Sequence, residues 1–63
     1  MIVELRGLLD VLGTDVIEVW YYDELIYEGP IDENVWDDLK EYLGYQVDSV
    51  ATVGGDYVEI TIV

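Results

Sequence analysis

A chain of 63 residues with fifteen acids, two bases (Arg6 and Lys40) and neither cysteine nor histidine has room for one domain. The missing residue types exclude disulfides, thiolate chemistry and the ordinary zinc sites. The net charge of −13 argues against direct binding to nucleic acid or to an anionic membrane, since both need Lys and Arg against phosphate.

Ile2, Leu5, Leu8, Leu9 and Leu12 recur at three- and four-residue spacing, which predicts a short amphipathic helix over 3–12 ended by Gly13. Gly7 inside it costs about 1 kcal/mol against Ala, so a strand beginning at Met1 is the competing reading. Glu4 and Asp10 interrupt this segment, and it lacks the basic start of a secretion signal. No run approaches the roughly 18 apolar residues of a membrane span. A soluble protein of the host-cell cytoplasm is expected.

Val16 to Tyr22 and Leu25 to Tyr27 are rich in β-branched and aromatic residues and predict a hairpin turning at Asp23-Glu24. That turn sets Tyr22 opposite Leu25, Tyr21 opposite Ile26 and Trp20 opposite Tyr27. Gly29-Pro30 is expected to break the sheet. Asp32 is a good N-cap, and Ile31 before it can staple to Trp36. Val35, Trp36, Leu39, Tyr42 and Leu43 make the apolar stripe of a second helix that stops at Gly44. Val47 to Val53 and Tyr57 to Val63 read as two more strands, joined through Gly54, Gly55 and Asp56. A two-residue loop there would set Val47, Ser49 and Ala51 opposite Ile62, Ile60 and Val58.

The order α-β-β-α-β-β predicts a single α+β domain over 1–63, with one four-stranded sheet packed with two helices. If the second and third strands are parallel neighbours, the second helix makes a right-handed crossover between them. A domain this short buries only about 60% of its unfolded surface. Good packing or a second copy must supply the rest.

Little in the chain points to catalysis. Its one serine, Ser49, falls in mid-strand with no histidine to activate it. Lys40 stands among Asp37, Asp38 and Glu41, which hold it charged rather than nucleophilic. Adjacent acids such as Asp23-Glu24 point in differing directions and make poor acid/base pairs. No enzyme, cofactor or specific metal site is expected. Asp32, Asn34 and Asp37 outline a calcium-like loop only faintly, without its glycine.

Two patterns point to binding instead. Glu33, Asp37 and Glu41 lie four apart on the second helix, with Asp38 widening the row and Asp23, Glu24 and Glu28 on the hairpin able to extend it; like charges four apart on a helix cost roughly 0.2–0.5 kcal/mol per pair. The row is either a solvated face that serves solubility or an imitation of a phosphate backbone. In the hairpin, alternation puts Ile17, Val19, Tyr21 and Ile26 on one face and Trp20, Tyr22, Leu25 and Tyr27, with Glu18, on the other. Either one helix lies on each face and the rings are core, or both helices cover the first face. In the second case the aromatic face is an interface, for a second copy or another protein.

The pieces "VELRGLLDVLG", "VIEVW", "ELIYEG" and "YVEITIV" resemble short, uncharacterised acidic proteins of phages and mobile elements in Gram-positive bacteria. That resemblance implies a setting of small accessory genes, among which anti-defence proteins are common. The leading expectation is therefore a non-enzymatic interaction protein. Its partner would be a basic, nucleic-acid-binding host or phage protein, inhibited by charge mimicry. The alternatives are a homodimeric or larger structural module whose acidity serves solubility, and a divalent-cation-binding protein.

Overall fold

The computed structural model describes residues 3–12 and 16–63. Alternation of apolar residues puts Ile17 and Val19 on one side of β1 (Val16–Tyr21), and Ile60 and Ile62 on one side of β4 (Tyr57–Ile62). All four are fully buried. These two strands lie side by side, parallel, at the centre of a four-stranded sheet. Each carries an antiparallel hairpin partner on its outer side: β2 (Glu24–Pro30) on β1 and β3 (Val47–Val53) on β4, giving the order β2-β1-β4-β3. The element order is the expected one. The crossover differs, because β2 and β3 are the two edges of the sheet and α2 (Glu33–Asp38) connects edge to edge.

Both helices lie on the same face. Leu5 and Leu9, one turn apart on α1 (Leu5–Leu12), join Ile31, Val35, Leu39 and Leu43 over the four buried strand residues. This apolar cluster contains no polar or charged side chain, so nothing in it needs a buried partner. The N–H groups of Leu5 and Arg6, which no helical carbonyl can reach, donate to the carbonyls of Tyr45 and Leu43 at 2.9 and 3.0 Å. Ahead of the helix, Glu4 bridges Gln46, and the Val47 N–H donates to the Val3 carbonyl. An extended start thus precedes a helix shorter than predicted. Gly13, expected as its stop, and Met1 and Ile2 lie outside the described residues.

Asp32 caps α2 as expected, accepting the Asn34 N–H at 2.9 Å. Ile31 and Trp36 both pack in the core cluster. The helix does not run to Gly44. It ends at Leu39 (φ −103°, ψ 14°), and a 3-10 turn over Lys40–Tyr42 follows.

Three local expectations are corrected. First, β2 continues through Gly29 and Pro30, which pair with Ile17 and Val16. Proline is tolerated because β2 is an edge and owes no N–H outward. Gly29 sits at φ 147°, a conformation in which a side chain would be strained. Second, the first hairpin turns at Tyr22-Asp23, and a bulge follows, so that Trp20 pairs with Leu25 but Val19 with Tyr27. The extra residue, Ile26, shifts the parity of the strand beyond it. Third, the loop between β3 and β4 has three residues, with Gly54 and Gly55 at φ 59° and 75°. Val50 and Thr52, not Ser49 and Ala51, therefore face Ile60 and Val58.

Candidate interaction surface

Among the described residues, neither α1 nor α2 covers the opposite face of the sheet, because all their buried residues belong to the one cluster. Strand alternation assigns its residues in three rows. At one end Leu25, Trp20, Thr61 and Ser49 lie side by side across the four strands. The next row is Glu28, Glu18, Glu59 and Ala51. At the other end Pro30 pairs with Val16, and Val53 with Tyr57. Three glutamates thus cross three neighbouring strands, between a mainly apolar band and one that is apolar on β2 and β1 only.

Like charges directly opposite on paired strands destabilise a sheet, and here two such pairs share Glu18. No base relieves them on this face, since Arg6 lies on α1 and Lys40 in the 3-10 turn, both in the helical layer. Glu18 and Glu59 are half-buried. The Trp20 Nε1–H donates to Glu18 Oε1 at 3.1 Å, which ties the indole to the row. The Tyr57 phenol is held above its usual pKa, first by burial and then by the negative charges of Glu18, Glu59, Glu28 and Asp56. Among the described residues no three acids converge as ligands around one point; the row is spread out.

The residues singled out in the sequence fall on two different surfaces. Glu33, Asp37 and Asp38 are exposed on α2, and Glu41 is exposed in the 3-10 turn. The break at Leu39 takes Glu41 out of the helical register that would align it with Asp37. Of the aromatic face, Trp20 and Leu25 are on the uncovered side of the sheet, with Leu25 38% exposed. Tyr22 is in the turn, 67% exposed, its ring 4.6 Å edge-on from that of Tyr21. Tyr27 is the correction: the bulge turns it to the covered face, where it packs on the core and donates its hydroxyl to the Pro30 carbonyl at 2.6 Å.

Glu59 and Tyr57 were not singled out by the sequence, and Glu28 only as an extension of the row on α2. Each belongs to an ordinary alternating strand, and only the pairing of β1 with β4 brings the three together. A second feature of this kind is the ring cluster of Tyr21, Tyr42 and Tyr45, with centroids 5.2–5.9 Å apart. It closes one end of the core on the helical side. Comparison with protein-family models, curated proteins and solved structures returned no match.

Proposed function

We propose that the protein is a non-enzymatic binding module whose acidic surface occupies a basic protein surface of the kind that holds nucleic acid. The observation that carries this reading is the uncovered sheet face. It combines exposed apolar area with a row of unrelieved glutamates, a combination that lowers the stability of the free domain and is offset by a cationic, partly apolar partner. The exposed acids of α2 and the 3-10 turn, Glu33, Asp37, Asp38 and Glu41, extend the negative field around the molecule and steer such a partner from a distance. On this reading the gene belongs with the small accessory genes of phages or mobile elements. The bound protein is then a host or phage nucleic-acid-binding protein, a defence nuclease among the candidates.

The test is affinity capture from a Gram-positive host lysate at low and high salt. Basic nucleic-acid-binding proteins should be retained at low salt, released at high salt and displaced by duplex DNA. A chain in which Glu33, Asp37 and Glu41 are replaced by Lys should retain far less. Retention indifferent to salt, to DNA and to charge reversal would overturn the reading.

A further inference from the structure

We propose that the uncovered sheet face takes an amphipathic helix of the partner with arginines one turn apart, laid across the strands so that their guanidinium groups meet Glu28, Glu18 and Glu59. This rests on the reading just given and names the chemistry of the partner at this one face.

Spacing is the first argument. The three glutamates stand on adjacent strands in direct register, so their Cβ atoms are about 5 Å apart. Residues one turn apart on a helix are about 5–6 Å apart. A helix crossing the strands therefore presents one side chain per glutamate. The flanks are apolar beside Glu28 and Glu18, with Leu25 and Trp20 on one side and Pro30 and Val16 on the other, and beside Glu59 lie Thr61 and Tyr57. The apolar flanks suit the apolar side chains that neighbour the arginines on such a helix.

Charge form is the second argument. The carboxylates do not converge on a point, so they suit a row of separate cations better than a metal ion. A guanidinium carries five N–H donors in a plane and can bond two neighbouring carboxylates at once. Trp20, tied to Glu18 by its Nε1–H, sets an aromatic ring beside that position, where arginine gains more than lysine. A second copy of this chain is the wrong occupant: stacking two such faces would bring two glutamate rows together with no base on either.

The probe is a fluorescently labelled alanine-based helical peptide with arginines at i, i+4 and i+8 and leucines beside them, followed by anisotropy at low salt. The native chain should bind it. The double variant Glu18→Gln/Glu59→Gln should weaken binding by about 10-fold or more, the scale of charge-assisted hydrogen bonds. Glu4→Gln/Asp10→Asn removes the same two charges from α1 and its approach, and should change affinity by no more than about 3-fold, the scale of exposed charges. A lysine version of the peptide should bind several-fold more weakly than the arginine one. Because Glu→Gln removes repulsion, the first variant should also melt no lower than the native chain, which separates lost binding from lost fold.

Equal effects of the two double variants, or equal binding of the lysine peptide, would overturn this inference and leave the broader reading standing. Binding of no basic peptide at all would overturn both. A native dimer in sedimentation that Trp20→Ser dissolves into folded monomers would show a copy-to-copy interface and also overturn it.

Discussion

Tyr22 holds the first position of the β1–β2 turn at φ 57°, the one described non-glycine residue with positive φ. A side chain there costs about 1–2 kcal/mol relative to residues that tolerate the left-handed region. What the ring gains is an edge-on contact with Tyr21 at 4.6 Å, worth about 0.5–1.5 kcal/mol at best and less for a ring that is mostly in water. Tyr22→Asn should therefore raise stability by roughly 0.5–1 kcal/mol, since Asn accepts this conformation more readily, as read from urea unfolding. A clear loss would show that the ring contact outweighs the strain. Parity grouped Trp20 with Leu25 on one face of the hairpin, but only the placement of both helices on the other face decided that Trp20 is not core. Tyr22 lies in the turn, where parity does not apply. Tyr27 was misassigned because parity fails past a bulge, and no local residue type announced this one.

At the scale of elements, α2 was legible in its start and in its buried stripe. Asp32, Val35 and Leu39 do what their types and spacing imply. A helix of six residues has too few internal hydrogen bonds to persist alone, so its cap and its packing must hold it. Asp32→Ala should cost about 1 kcal/mol, measured by chemical denaturation. Asp32→Ser, which keeps an acceptor, should recover most of the loss. The end of the helix was not legible. Beyond Leu39 the chain tightens into the 3-10 turn, with Tyr42 donating to the Leu39 carbonyl at 2.8 Å, and the carbonyls of Leu43 and Tyr45 then meet the first N–H groups of α1. That contact joins segments far apart in sequence, and no periodicity within 33–44 contains it.

At the scale of the whole molecule, charge and size set the conditions for stability. The molecule spans 25 × 23 × 22 Å, within the Debye length of about 30 Å at 0.01 M salt and far beyond the roughly 3 Å at 1 M. At low salt its acids all repel one another; at high salt only neighbours do. Added sodium chloride should raise the melting temperature by several degrees, since about 1 kcal/mol shifts a domain of this size by roughly 4–8 °C. A melting temperature indifferent to salt would mean the acids are locally compensated. Stability should also fall in alkali. The phenols of Tyr21, Tyr27 and Tyr57 are each held above the ordinary value of 10.0, in every case chiefly by burial. Above pH 10.0 the unfolded chain loses these protons before the folded one does, so the folded state binds more protons and stability declines with rising pH. Far-UV circular dichroism and tyrosinate absorbance followed together should show unfolding begin in that range, and Tyr57→Phe should delay it.

The sequence by itself determined the α+β class, the order of elements, the cap at Asp32 and the greater part of the core, because helix and strand periodicity are properties of a few neighbouring residues. It also determined that the surface is acidic. Only the tertiary structure decided that both helices share one face, that β1 and β4 are parallel neighbours, and that Glu28, Glu18 and Glu59 form a row. Those outcomes depend on which distant strand each strand meets, a choice made by complementarity of whole buried faces across the chain.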